Sequence, residues 1–283
     1  MNIENILKEL SINSFISYEK IIGGRDSSVW KVRVSDEVTY ALRLMSKQRN
    51  QQFLVEKKII QLAEDKGIPV PKVYSVKIVD EYSVMLMEWV SGHTVFSEIY
   101  EHPENARRIG NQFGKVQAAI HTISLPKTLA IYSEEWLSPH TTDENEILDI
   151  IFAMGSKEGD VLLHLDYHPL NVLTDGEKIT AVIDWINASR GDYRFDLART
   201  LSILRIEATK PGTPFENSPS VIEEFERGWL EGYEETIGSK IEPFSLHNAW
   251  AGIRMKRDLS EILQETDRVR IQQWVSYWLE NNN

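Results

Sequence analysis

The stretch Leu162-Leu163-His164-Leu165-Asp166-Tyr167-His168-Pro169-Leu170-Asn171-Val172-Leu173 decides the reading, together with Ala181-Val182-Ile183-Asp184-Trp185 just after it. Leu162-Leu163 and Val172-Leu173 are apolar flanks that anchor a polar loop in a core. Asp184 closes a second apolar run, Ile179–Ile183. The pattern predicts three oxygen donors, Asp166, Asn171 and Asp184, at the tips of neighbouring buried strands. Oxygen donors of that kind suit a hard cation such as Mg²⁺, with phosphates and waters completing its octahedron.

The spacing H-x-D-x-x-x-x-N, followed by an Asp after a hairpin, matches the catalytic loop of kinases and its metal-binding Asp. Asp166 and Asn171 are five positions apart, as that loop requires. The Arg of H-R-D is replaced by Leu165, and D-F-G by Ile183-Asp184-Trp185. At these residues the chain resembles the aminoglycoside phosphotransferase and choline kinase family, which reads H-x-D-x-x-x-x-N-V-L…V-I-D-W here and often continues G-D-x-x-x-D-L-A. This chain continues Gly191-Asp192-Tyr193-Arg194-Phe195-Asp196-Leu197-Ala198. The resemblance implies a bilobal protein-kinase-like fold and a Mg²⁺-dependent small-molecule kinase with ATP, or GTP, as co-substrate. It implies Asp166 as the catalytic base and Asn171 and Asp184 as metal ligands. Asp192 and Asp196 then brace the site, as does His164. A lone Asp more often caps a turn or a helix, and it is the shared spacing that argues otherwise here.

Working outward, the first part of the chain is strand-rich. Tyr18–Ile22, Ser28–Val34 and Thr39–Met45 carry β-branched and aromatic residues and are separated by polar turns. A helical stripe over Gln51–Lys66 ends at Gly67, with Pro69 and Pro71 beyond it. Val73–Ile78 and Tyr82–Met87 form a further strand pair. The expectation is an α+β chain: a five-stranded antiparallel sheet with one helix over residues 1–88, a hinge at about 88–92, and a larger, mainly helical lobe over 89–283. Predicted helices in that lobe run over Asn105–Ile123, Val221–Thr236, Leu246–Glu265 and Val269–Leu279, with Lys210–Pro219 a surface loop. A cleft between two lobes is a natural ligand site.

Nucleotide-binding candidates follow from this layout. Gly23 and Gly24, with Ser27 and Ser28, form a polar turn between two strands where backbone N–H groups can approach phosphate; a plain hairpin turn reads the same way. Arg43 on the third strand, with Glu56 on the following helix, takes the place of a kinase Lys–Glu pair. An Arg fork binds carboxylate and phosphate but is not equivalent to Lys. Glu88 and Val90 are the expected backbone contacts to adenine. No Walker A motif is present.

Composition bounds the rest. Of 283 residues, 43 are acidic and 31 basic, for a net charge of −12. That field disfavours nucleic acid, which needs Lys and Arg at its phosphates. Cysteine is absent, excluding disulfides and thiolate metal sites. No apolar run is long enough to span a bilayer, the N-terminus lacks a signal-peptide core, and a cytoplasmic location is expected. No obligatory protein partner is indicated. The acceptor is expected to be a small molecule. A cationic one, such as an aminoglycoside or amino-alcohol, suits the acidic helix run containing Glu223 and Glu226. Trp229 and Tyr233 on the same run are candidates to stack on a ring or cation, along with Trp250, Trp274 and Trp278. A solvated acidic face and a helical core explain the same residues. Two alternatives stand beside this reading: a nucleotide-binding regulatory protein without turnover, and a protein kinase. The short interval between Asp184 and Gly191 disfavours the second.

Overall fold

The computed structural model describes residues 2–21, 27–125, 137–154, 159–261 and 263–281. The chain divides into two compact units, Met1–Ser91 and Gly92–Asn283.

In the first unit, helix α1 (Ile3–Glu9) starts at Asn2, whose side chain accepts the Asn5 amide at 3.2 Å. Five antiparallel strands follow: β1 (Ser17–Ile21), β2 (Ser28–Arg33), β3 (Thr39–Ser46), β4 (Val73–Val79) and β5 (Tyr82–Glu88). Helix α2 (Asn50–Asp65) lies between β3 and β4 in the chain. The sheet order is β1-β2-β3-β5-β4. Strand alternation assigns its faces. Val32, Leu42, Leu44, Val84 and Leu86 pack with Ile3, Ile6 and Leu7 of α1. Arg43, between Leu42 and Leu44, points the other way and meets Glu56 of α2.

The second unit opens with β6 (His93–Thr94), α3 (Val95–Glu101), α4 (Ala106–Ile120) and α5 (Thr142–Ala153). Four short strands follow: β7 (Val161–Leu163), β8 (Val172–Thr174), β9 (Ile179–Val182) and β10 (Ser189–Gly191). The unit closes with α6 (Tyr193–Ser202), which runs on as a π-helical turn over Ile203–Glu207, and with α7 (Pro219–Ile237), α8 (Ser245–Asp258) and α9 (Glu265–Glu280). No helix among the described residues is long and apolar enough to cross a membrane.

The tightest packing in this unit joins α4 and α7. A Cβ on Gly114 would lie 2.0 Å from the Trp229 carbonyl oxygen, and one on Gly232 2.0 Å from that of Asn111. The backbones approach so closely that only glycine fits at these positions. Ile147, Leu148 and Ile151 of α5 pack with Leu163, Leu165, Phe195 and Trp250 beside the β7 end.

Two expectations need correction. The helix predicted over Leu246–Glu265 stops at Asp258, and a new helix begins at Glu265. The reason is local: Gln264 and Asp267 form a reciprocal capping box that starts α9 afresh. The strands carrying the oxygen donors are also not all neighbours: β8 and β9, next to Asn171 and Asp184, pair with each other, but β7, which leads to Asp166, does not join them. β7 pairs with β10, while β8 pairs with β6 and β9.

Candidate active site

Since the β7 and β8–β9 ladders are separate, side chains must join them. His164, fully buried directly after β7, does so. Its Nε2–H donates to the Ile183 carbonyl at 3.1 Å, and its Nδ1 accepts the Asp166 amide at 3.3 Å. Those two partners assign a neutral ring. Burial holds its pKa below the ordinary histidine value, although Asp196, Asp166 and Asp184 pull the other way. The ring packs 4.6 Å from that of Trp185. His164 thus supports the loop from both of its nitrogens.

Asp196 holds the same loop from α6. It is fully buried and accepts the Leu165 amide at 2.6 Å, the His164 amide at 3.2 Å, His121 Nε2 at 2.9 Å and Gln117 Nε2 at 3.4 Å. Burial raises its pKa, but His121, His164 and the loop amides outweigh burial and hold it below the usual value. Leu165 takes φ +59°, and Asp184 takes +64°. Residues with side chains adopt that region rarely, and such outliers cluster at functional sites. At Leu165 the conformation presents its N–H to Asp196. Asp192 caps α6 through the Arg194 amide at 2.9 Å and pairs with the Arg194 guanidinium at 2.6 Å.

Asp166 follows Leu165 with its side chain a quarter exposed. Burial pushes its pKa up, yet His168, Arg199 and His164 bring it down to about 2. Asn171 donates one amide hydrogen to the Asp166 carbonyl and the other to Asp166 Oδ2, both at 3.1 Å. Its side-chain oxygen is therefore turned away from Asp166 and remains as a donor atom. The Asn171 carbonyl accepts the Ile183 amide at 2.9 Å, which sets Asp184 one residue beyond Asn171's partner. One carboxylate and one amide oxygen fit Mg²⁺, which keeps waters and phosphates as its remaining ligands. Among the described residues no group of three or more His, Cys, Asp and Glu is gathered to hold a metal.

In the first unit, Arg43 and Glu56 form the expected pair, 2.5 Å apart with both side chains buried. Arg43 Nε also donates to Ser27 Oγ at 3.4 Å. Ser28 opens β2. Gly23 and Gly24 lie outside the described residues. The Glu88 amide already donates to the Lys72 carbonyl at 2.8 Å, so that amide is not free for the expected backbone contact. Val90, beyond the end of β5, has no such backbone bond among the described residues.

The structure places the acceptor candidates differently from their expected role. Trp229 is fully buried and donates its indole N–H to Gln117 Oε1 at 2.7 Å. Tyr233 is buried too, with its hydroxyl 2.7 Å from His121 Nδ1. Both are core, and their polar atoms hold Gln117 of α4 and His121 just past its end, which in turn hold Asp196. Glu226 binds Arg205 through two bonds of 2.5 and 3.1 Å, and Glu223 lies 3.6 Å from the same guanidinium. Helical spacing of apolar and acidic residues describes a core stripe and an acceptor wall equally well, which is why sequence did not separate them. Of the other aromatic candidates, Trp250 is core. Trp274 lines a surface groove of about 390 Å³ with Arg205, Ile206, Arg270, Gln273 and Tyr277.

A family model described as the phosphotransferase enzyme family matches residues 17–238. No curated protein matches the chain in sequence. Among solved structures it resembles a thermostable mutant of an aminoglycoside phosphotransferase, in ternary complex with ADP and hygromycin B. The identity is 17%, the cover 99% of this chain and 98% of that one, and the TM-score 0.68. A putative fructosamine-3-kinase from Haemophilus somnus is 17% identical, over 98% of this chain and 96% of that one, with TM-score 0.60. An ethanolamine kinase from Plasmodium vivax is 14% identical, over 93% and 81%, with TM-score 0.59.

Proposed function

Since this chain belongs to the phosphotransferase enzyme family, we propose that it moves the γ-phosphoryl group of ATP to a hydroxyl of a small, nitrogen-bearing acceptor. The observation that carries the reading is the loop at Asp166: a carboxylate bonded by Asn171, on a backbone held by His164 and Asp196, one short hairpin away from Asp184. The acceptors named for the similar structures are hygromycin B, fructosamine and ethanolamine. Each is a hydroxylated amine, and the net charge of −12 favours a cationic ligand over an anionic one.

In the reaction, the acceptor oxygen bonds to the γ-phosphorus as the bond to the β–γ bridging oxygen breaks. The electron pair of that bond leaves with ADP, and the hydroxyl proton passes to Asp166. With a pKa of about 2, Asp166 is ionised throughout the physiological range and is a weak base. That suits a loose transition state, in which the carboxylate orients the hydroxyl and takes its proton late. Asn171 and Asp184 would hold Mg²⁺, which when bound offsets charge on the phosphates. Arg43, fixed by Glu56, is assigned to the nucleotide phosphates, with Ser27, Ser28, Gly23 and Gly24 as the phosphate cover. The Glu88 carbonyl and Val90 amide are assigned to adenine. The chain passes from a nucleotide-binding lobe to a catalytic lobe at about 88–92, and a cytoplasmic location fits the use of ATP.

The test is Mg²⁺-dependent ATP consumption across a panel of amino-alcohols, glycated amines, aminoglycosides and macrolides. The expected result is a phosphorylated product from one class of hydroxylated amine. Consumption that no acceptor stimulates, or label appearing only on lysate proteins, would contradict the reading.

A further inference from the structure

The two faces of the sheet in the first unit are covered differently. Val32, Leu42 and Leu44 pack on α1. The opposite face carries Arg43, and directly paired residues share a face. Val29 stands opposite Arg43, Lys31 opposite Ala41, and Ala41 opposite Met87. Toward α2 this face is buried at Arg43, Ser83 and Met85, and Ser83 Oγ donates to Asn50 Oδ1 at 2.9 Å. At Val29, Lys31 and Ala41 it is only half-buried. An apolar step, Val29 with Ala41, therefore separates two cations. Arg43 lies at the end assigned above to the phosphates. Lys31 lies roughly 7 Å beyond Val29 by the strand rise, near the edge where the Trp89 amide donates to the Thr39 carbonyl at 3.3 Å.

Lys31 is anchored there. Its Nζ lies over the half-buried Trp89 ring, 4.9 Å from the centroid. The indole face steadies the charge without taking a hydrogen bond from it. The nearest carboxylate is that of Glu19, its cross-strand partner, which is two-thirds exposed and 4.0 Å away. That is longer than a hydrogen bond, so the ammonium keeps its hydrogens for a ligand. A flat base lying against Val29 and Ala41, with its phosphates toward Arg43, turns one edge to this ammonium.

We propose that Lys31, held on Trp89, is a nucleotide-binding residue that donates an Nζ–H to a ring nitrogen of the purine, N3 or N7. The inference rests on the phosphotransfer reading and on the assignment of the Val90 amide and Glu88 carbonyl to the N1 and N6 edge. N3 and N7 are the ring acceptors which that assignment leaves open. A charge-assisted bond of this kind contributes about tenfold in affinity.

The probes are ADP, 7-deaza-ADP, 3-deaza-ADP and inorganic pyrophosphate, each with Mg²⁺ and followed by calorimetry. No acceptor is needed. In the unaltered protein one deaza analogue should bind about tenfold more weakly than ADP, and which one names the atom. Lys31→Met, which keeps the apolar stem, should weaken ADP by about the same factor. In that variant the sensitive analogue should lose nothing further against ADP. Pyrophosphate, which has no base, should bind both proteins within twofold. If both deaza analogues match ADP in the unaltered protein, the proposal is overturned, and Lys31 is a surface lysine packed on Trp89. A loss of pyrophosphate affinity in Lys31→Met equal to that of ADP also overturns it, because the ammonium would then act on the phosphates. If ADP does not bind the unaltered protein at all, the phosphotransfer reading itself fails, and the proposal falls with it.

Discussion

The loop at residues 164–184 and the helix pair α4–α7 hold the same candidate site by opposite means. The loop is polar and held by directed bonds. Asp196, His164 and Asn171 fix it, and two of its side-chain-bearing residues, Leu165 and Asp184, take positive φ. The helix pair is held by shape, with glycines that bring backbone to backbone. They meet at two side chains, one on α4 and one just past its end. Gln117 and His121 bond to Asp196 on one side, and to Trp229 and Tyr233 of α7 on the other. The comparison teaches that chemistry read from a motif depends on a support that no motif marks.

The largest way to break this link is at Asp196. Asp196→Ala leaves buried donors from His121 and two loop amides without an acceptor, and a loss of about 3–5 kcal/mol is expected. Denaturant melts of the variant measure it, and a loss under 1 kcal/mol would mean the loop does not rely on this carboxylate. The pH dependence has a definite sign. With its folded pKa depressed, Asp196 stabilises fully above the unfolded value of about 3.9, and that contribution fades as pH falls below it. Asp196→Asn should therefore flatten the acid limb of a stability–pH curve.

A smaller effect tests the helix side. Gly232→Ala drives a Cβ against the Asn111 carbonyl, and overpacking of this kind costs about 1–3 kcal/mol. Activity should fall only as stability does. If activity fell with the melting temperature unchanged, the helix pair would be acting on the site by some route other than support.

The smallest effect decides what Trp229 does. Trp229→Phe keeps an aromatic ring and removes the bond to Gln117, with an expected loss of about 1 kcal/mol and acceptor KM within twofold. A tenfold rise in acceptor KM at unchanged stability would return Trp229 to the acceptor wall.

These variants also show what was legible in the sequence. Strands of alternating residues and the stripe on α2 were legible because each is a local pattern, and the structure forms them within one or two residues at each end. The spacing from His164 to Asp196 was legible because these residues lie along a short stretch of chain, and the structure joins His164, Asp166, Asn171 and Asp196 by hydrogen bonds. Trp229 and Tyr233 were not, because their partners Gln117 and His121 are 112 positions away and nothing local distinguishes a core indole from an exposed one. A break between α8 and α9 was expected just after Glu265; it lies instead between Asp258 and Glu265, where the cap formed by Gln264 and Asp267 starts the second helix.

The central claim is that Asp166 receives the acceptor's proton in transfer from ATP, and Asp166→Asn tests it most directly. This variant keeps the size of the side chain and removes its charge. With γ-labelled ATP and the acceptor found by the panel, single-turnover transfer should fall about a thousandfold, with ADP affinity and melting temperature close to those of the unaltered protein. Transfer within tenfold of the unaltered protein would contradict the account.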